Sequence, residues 1–227
     1  MGTMKRVNIL GSLLGTALVL SSQVGFAGIM DELSSEDQAV VNQGHQVAIF
    51  ENIEGSTFPK CRIYQRIRSA PEEAAAVFNH AENFPTYLAS VKDVRVVSTH
   101  QNKSVLHYKA ALPFGLPVIE YDARNLVTSY DHGGSFRFTW TVDPTTFIHE
   151  ANGNARFEPL GTETVFEYVN FLSPNIPIRI DWAINGMKKQ VKEMVAAIPK
   201  QVELEKASNQ KLLQSEVQAL RAVALPE

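Results

Sequence analysis

The sequence predicts an α+β domain in which a curved antiparallel β-sheet wraps around one long C-terminal helix. Two short helices are expected after the first strands. The middle of the chain is a run of short β-type segments that are separated by turn residues. The spacing of apolar residues then becomes helical after Pro174 and Pro177. A sheet and an amphipathic helix each have one apolar face, and packing them together buries both.

The first 27 residues have the three-part pattern of a secretory signal peptide. Lys5 and Arg6 precede an apolar run from Ile9 to Leu20, and Gly25-Phe26-Ala27 offers small residues for signal-peptidase cleavage. We expect cleavage after Ala27 and a mature chain that is periplasmic or secreted. A membrane-spanning helix needs roughly 20 apolar residues, which is longer than this run. An uncleaved N-terminal anchor is the alternative.

Composition limits the classes of function. Hydrophobic residues make up 44% of the chain and charged residues 20%, as in ordinary globular proteins. The formal net charge is −3, and it becomes −5 once the predicted signal with Lys5 and Arg6 is removed. A nucleic-acid partner is therefore not expected, because such proteins are usually basic. Cys61 is the only cysteine, so an internal disulfide is excluded.

Residues 28–43 are expected to form a lead-in helix. The Ser34 hydroxyl can accept a hydrogen bond from the Asp37 amide, and Asp37 can reach back, as in a capping box. Gly44 is suited to the end of this helix. Two strands are predicted next, Gln46–Glu51 and Cys61–Arg68.

A helix is predicted from Pro71. Proline is tolerated in a first turn, and Glu72 and Glu73 suit the positive end of the helix dipole. A second short helical turn is expected at Thr86–Leu88. Six strands follow, and the short turns between them predict antiparallel pairing. These strands are Val91–Thr99, Ser104–Ala110, Val118–Tyr130, Ser135–Val142, Phe147–Phe157 and Thr164–Phe171.

The long C-terminal helix is predicted from an apolar stripe that runs from Ile180 to Ile198. Pro199 is expected to kink or end it. The main domain is therefore predicted to span residues 44–200. Residues 201–227 form a helical tail that packs on the domain, extends the helix or contacts a protein partner, and these alternatives stay open.

Four motifs follow one another in an order that is known from one superfamily. The first is a strand-to-helix transition at Ile67–Phe78, and the second is an aromatic-Pro-aromatic step at Glu82–Tyr87. The third is a Pro-rich loop, Leu112–Pro117, before an Arg-containing strand at Asp122–Arg124. The fourth is the opening of a long helix at Ile184–Lys188. This order resembles the START, Bet v 1 and polyketide-cyclase (SRPBCC) superfamily, including its coenzyme-Q-binding branch. The resemblance covers about Gly44 to Glu205. It implies a helix-grip fold with a cavity for a lipid, sterol, isoprenoid quinone or polyketide.

Aromatic residues and Met supply adaptable apolar surface, and Tyr hydroxyls can orient a polar head group. The alternative from residue types alone is a filled core. Arg124 lies in the START-like motif and is expected either to face the ligand or to pair inside the cavity with Glu120, Asp122 or Glu167. Arg137 and Arg156 are expected to face solvent. The candidate ligand-binding residues are Tyr87, Tyr108, Tyr121, Arg124, Phe136, Phe138, Trp140, Phe166, Tyr168, Trp182 and Met187.

No catalytic, metal or cofactor site is predicted. The six histidines show no metal-ligand spacing, and there is no nucleophile elbow, P-loop or dinucleotide fingerprint. The expected function is an exported carrier or sensor of a hydrophobic small molecule, with transient membrane contact and an unknown protein partner. A cyclase- or hydrolase-like enzyme is the alternative, with His107, Tyr108, Asp122 or Arg124 as acid and base.

Overall fold

A computed structural model describes residues 28–56, 58–111, 118–175 and 180–227 of the chain. The predicted signal peptide and most of the Pro-rich loop motif lie outside the described residues. Among the described residues, nine strands form one sheet. The predicted α+β architecture is confirmed.

The helices and strands lie close to their predicted positions. The helices are α1 (Ser35–Asn42), α2 (Pro71–Asn79), α3 (Phe84–Tyr87), α4 (Ile180–Ser208) and α5 (Gln210–Val223). The strands are β1 (Val47–Glu51), β2 (Lys60–Ile67), β3 (Val91–His100), β4 (Lys103–Ala111), β5 (Val118–Tyr130), β6 (Ser135–Val142), β7 (Ile148–Leu160), β8 (Glu163–Pro174) and β9 (Leu225–Pro226). Their order in the sheet is β1-β2-β8-β7-β6-β5-β4-β3, and the short β9 pairs with β5. Each neighbouring pair along this path is antiparallel.

The main core lies between α4 and one face of the sheet, which we call the inner face. Val195 and Ile198 of α4 pack against Phe138, Phe157 and Phe166 of the strands, and all of them are almost completely buried. Alternate residues of a strand point to the same side. Residues that flank these aromatic residues in sequence therefore point to the opposite, outer face.

The lead-in segment covers part of the outer face. Ile29 and Val41 are fully buried there against Tyr64 and Val165. Ser34 caps α1 as expected, because its hydroxyl accepts a hydrogen bond from the Asp37 amide. The segment therefore belongs to the folded domain.

Arg156 was expected to face solvent, and this expectation is wrong. It is only 8% exposed and lies beneath the lead-in segment on the outer face. Its guanidinium donates to Glu167 Oε2 at 2.5 Å and to Glu32 Oε1 at 2.7 Å. Arg62 donates to the other oxygen of Glu167 at 2.8 Å. A buried charge is tolerated when it is paired in this way.

The C-terminal segment packs on the domain, which is one of the three alternatives that the sequence left open. Leu213 and Leu220 of α5 are buried in the main core. The Arg221 guanidinium donates to both oxygens of Glu72 on α2 at 2.6 Å. The helix α4 also continues through Pro199, so the predicted boundary at residue 200 falls inside a helix. Because proline lacks a backbone N–H, Pro199 removes only one backbone hydrogen bond from this well-packed helix.

Candidate functional site

A cavity of about 550 Å³ lies between the inner face of the sheet and the helices α2, α4 and α5. Small-molecule sites usually have volumes of roughly 300 to 1,000 Å³. The wall is mostly apolar, and small side chains such as Ala110, Ala123 and Ala151 leave the space open. The cavity is therefore large enough for a small hydrophobic molecule.

Strand β5 shows how the wall is built. Every second residue of this strand lines the cavity because alternate side chains point inward. The lining residues of β5 are Ile119, Tyr121, Ala123, Asn125 and Val127. The same alternation places Leu106 and Tyr108 of β4 in the wall.

Aromatic packing closes one end of the inner face. The Phe78 ring of α2 lies 5.1 Å from the Phe138 ring, 5.5 Å from the Phe157 ring and 6.1 Å from the Phe166 ring. Phe157 and Phe166 are stacked at 4.6 Å and are fully buried. This cluster fills the space that would otherwise extend the cavity along the strands.

The structure places seven of the eleven candidate ligand-binding residues in the wall of the cavity. The seven are Tyr108, Tyr121, Phe138, Trp140, Tyr168, Trp182 and Met187. Phe136 and Phe166 point to the same inner face but belong to the packed core. Tyr87 packs beside the wall against the core and does not line the cavity.

Arg124 lies outside the cavity. Its side chain is 61% exposed, and the guanidinium donates to both carboxylate oxygens of Asp143, at 3.2 and 2.7 Å. Its neighbours Ala123 and Asn125 point inward, so the alternation of β5 turns Arg124 outward. The expectations that Arg124 faces the ligand or pairs with an acid inside the cavity are therefore wrong, because its partner is Asp143 at the surface.

Uncharged polar groups are distributed along the apolar wall. The Tyr108 and Tyr121 rings stack at 5.3 Å, as do those of Trp140 and Tyr168. Trp140 Nε1 donates to Asn170 Oδ1 at 3.2 Å. Burial raises the pKa of Tyr121 to about 12, so its hydroxyl stays neutral at physiological pH. Such groups can orient the polar part of a mainly apolar ligand.

No protein-family model and no curated protein match this chain. The STAR-related lipid transfer protein from Xanthomonas axonopodis superposes with a TM-score of 0.63 at 14% identity, over 70% of this chain and 93% of that chain. Human StAR-related lipid transfer protein 5 gives a TM-score of 0.61 at 12% identity, over 70% and 82% of the two chains.

A third similar structure is the Zhui aromatase/cyclase from Streptomyces sp. R1128. Its TM-score is 0.54 at 8% identity, over 71% of this chain and 96% of that chain. The chain has the helix-grip fold of START domains. The resemblance in the sequence is thus confirmed for the fold. In this helix-grip domain, α4 is the helix that the sheet holds, and α5 and β9 follow it.

The candidate acid–base residues form a pair on the outer face of the helix-grip domain. His107 and Asp122 are direct partners across β4 and β5, and His107 Nδ1 lies 2.7 Å from Asp122 Oδ1. Neither residue lines the cavity. Of the proposed acid–base residues, only Tyr108 points inward.

One functional group that the sequence reasoning missed is Glu216 on α5. It lines the cavity and is only 5% exposed. Its Oε1 lies 2.5 Å from Nδ1 of His80, which also lines the cavity. Burial and the nearby Glu205 carboxyl raise the pKa of Glu216 to about 8. The helical spacing of α5 could have predicted that Glu216 faces the core, because this residue lies on the same stripe as Leu213 and Leu220.

Two further structural findings bear on function. Within the described ranges, no group of three or more His, Cys, Asp or Glu side chains could hold a metal ion. None of the helices in these ranges is long and apolar enough to cross a membrane.

Proposed function

We propose that this chain is an exported protein that binds a hydrophobic small molecule and acts as its carrier or sensor. The cavity of about 550 Å³ is the observation that carries the proposal. Transfer of apolar surface from water into such a space is favourable by roughly 25 cal/mol per Å². The wall offers aromatic surface together with a few polar groups, which suits a lipid, sterol or quinone.

Binding rather than catalysis is favoured by the position of the acid–base candidates. His107 and Asp122 face away from the cavity, so they would not reach a bound substrate. The cyclase- or hydrolase-like alternative predicts turnover that depends on these two residues.

The binding proposal is tested in two ways. Mass spectrometry of an organic extract of the native protein should reveal a copurified apolar compound. The uncharged dye Nile red should fluoresce on binding and be displaced by apolar ligands. A clean extract together with no dye, lipid, sterol or quinone binding would overturn the proposal.

Export is proposed from the signal-like sequence of residues 1–27, and contacts at residue 28 support it. The Gly28 nitrogen donates to Asp31 Oδ2 at 3.1 Å. The next amide, of Ile29, donates to Glu158 Oε2 at 2.6 Å. Cleavage after Ala27 would convert the Gly28 nitrogen into an ammonium group beside carboxylates, where a positive charge is stabilised.

The export proposal is tested by expressing the full chain in a double-membrane bacterium. Intact mass and N-terminal sequencing of the periplasmic fraction should give a chain that begins at Gly28. Recovery of a chain that retains residues 1–27 in the membrane fraction would favour the uncleaved anchor instead.

Transient membrane contact is proposed at Trp182, which lines the cavity and is 44% exposed. The chain has two tryptophans, so a Trp140→Phe variant leaves Trp182 as the only one. Vesicles that contain brominated phosphatidylcholine should quench its fluorescence. Unchanged fluorescence at high lipid concentration would count against membrane contact at this residue.

A further inference from the structure

A group of ionisable residues lies at and behind the cavity wall, where α3, α4, α5 and the end of α2 meet. Glu216 from α5 lines the cavity, and Glu205 from α4 lies next to it and is 2% exposed. We call Glu205 and Glu216 the buried carboxyl pair. His80 from the end of α2 and Tyr87 from α3 face this pair.

Several polar atoms of this group have no hydrogen-bond partner. Among side chains of the described residues, the buried atoms that lack a partner are Tyr87 Oη, Glu205 Oε2 and Glu216 Oε2. Nearly all buried polar atoms in folded proteins are hydrogen-bonded. All three atoms can accept a hydrogen bond. A hydrogen bond between the two carboxyls needs a proton on Glu216, so a ligand that displaces this proton would meet unpaired acceptors.

The described part of the cavity wall has acidic side chains and His80 but no lysine or arginine. The acidic side chains are those of Glu82 and Glu216. A carboxylate or phosphate of a ligand would therefore lack a cationic partner, and desolvating such a charge is costly. A positive head group would instead meet carboxylates.

We propose that the buried carboxyl pair binds the ammonium group of an apolar amine whose hydrocarbon part occupies the cavity. An ammonium group has three N–H donors and no acceptor, which suits a site that offers Tyr87 Oη, Glu205 Oε2 and Glu216 Oε2 once the Glu216 proton has left. Hydrogen bonds between an ammonium and a carboxylate are among the strong ones. This inference rests on the proposed function, because the ligand must first enter the cavity.

Proton release is expected to accompany binding of the amine. Without ligand, Glu216 holds a proton up to about pH 8, because burial and the neighbouring Glu205 carboxyl raise its pKa. The ammonium would replace that proton. The titratable groups that face Glu216 are His80, Tyr87 and Glu205. The Glu205 carboxyl also accepts hydrogen bonds from Asn83 at 3.4 Å and from Gln201 at 2.7 Å. Amine affinity should therefore rise with pH until Glu216 is ionised.

The test uses ligands that share one chain length and differ in head group. Tetradecylamine, tetradecanol and tetradecanoate are used to displace Nile red from the full chain. The amine should bind about tenfold more tightly than the alcohol, and the acid should bind most weakly. The amine-to-alcohol ratio should increase between about pH 6 and pH 8.

Variants identify the residue that is responsible. Glu216→Gln keeps the shape of the side chain and removes its negative charge, so the amine-to-alcohol ratio should fall about tenfold. Glu205→Gln provides an independent variant if Glu216→Gln folds poorly, as judged by its thermal melt. Glu203→Gln is the matched control, because Glu203 lies on the exposed side of α4.

The outcomes separate this inference from the proposed function. Equal affinity for the amine and the alcohol would overturn the ammonium site. An amine-to-alcohol affinity ratio that is unchanged in both the Glu205→Gln and the Glu216→Gln variant would overturn it too. In both cases, binding of the dye and the alcohol would still support the cavity. If neither dye nor any of the ligands binds, both proposals fail. Preferred binding of tetradecanoate would overturn the assigned head-group charge.

Discussion

Replacing Glu216 by glutamine should change how the stability of the protein depends on pH. Glu216 is 5% exposed, and burial and the Glu205 carboxyl raise its pKa from 4.5 to about 8. At neutral pH the folded chain therefore holds a proton that the unfolded chain has lost. Glutamine has nearly the same shape and does not titrate, so the variant removes this linkage.

The sign and the size of the effect follow from the two pKa values. A group with a raised pKa in the folded state contributes stability that is fully present below its ordinary pKa of 4.5. That stability is lost as the pH rises through about 8. Because one pKa unit corresponds to about 1.4 kcal/mol, the change in pKa corresponds to about 5 kcal/mol in total, of which about 4 kcal/mol is lost between about pH 5 and pH 9.

The assay is urea unfolding of the wild type, Glu216→Gln and the control Glu203→Gln across this pH window. At about pH 5 the wild type and Glu216→Gln should agree within about 1 kcal/mol in their free energy of unfolding. At about pH 9 the Glu216→Gln variant should be more stable than the wild type by about 4 kcal/mol. If the two proteins differed in free energy of unfolding by the same amount at all pH values, the reasoning would be refuted. His80, Tyr87 and Glu205 are present in both proteins, so only residue 216 differs between them.

Packing and ion pairing give three further predictions. Gly153→Ala would bring Cβ within 2.3 Å of a backbone oxygen and 2.4 Å of the Trp140 ring, so we expect a stability loss of about 3 kcal/mol in urea unfolding. Ala123→Phe would fill the cavity from β5, and Nile red affinity should fall about tenfold. Arg156→Met would remove one arginine partner of Glu167, which is 1% exposed, and should cost about 3 kcal/mol.

Matched variants separate these effects from general damage. Leu126→Phe on the same strand is outside the cavity lining and should leave dye affinity unchanged. Arg124→Met removes an exposed ion pair and should leave the free energy of unfolding close to that of the wild type. Wild-type dye affinity in Ala123→Phe, or wild-type stability in either the Gly153→Ala or the Arg156→Met variant, would contradict the corresponding packing argument.

Much of the fold was predictable because it depends on patterns that are local in sequence. The alternation of β5 predicts which residues share a face, and the structure has Tyr121 and Ala123 on one side and Arg124 on the other. The strands β5 and β6 have the predicted bounds. The signal peptide and its cleavage after Ala27 stay predictions.

The position of the cavity along the sheet depends on contacts that are distant in sequence. Phe136 and Phe138 share a face of β6, yet only Phe138 lines the cavity. The reason is that the Phe78 cluster from α2 fills one end of the inner face. Period-2 spacing gives the direction of a side chain, whereas the packing of another element decides whether the space above it is filled.

The sequence by itself therefore determined the order of the elements and the face on which each strand residue lies. The tertiary structure alone brought Glu205 and Glu216 together, and it buried Arg156 beneath the lead-in segment. Burial and charge pairing depend on which elements meet in space. Helical and strand periodicity describe each element separately, so they do not specify which elements pack against one another.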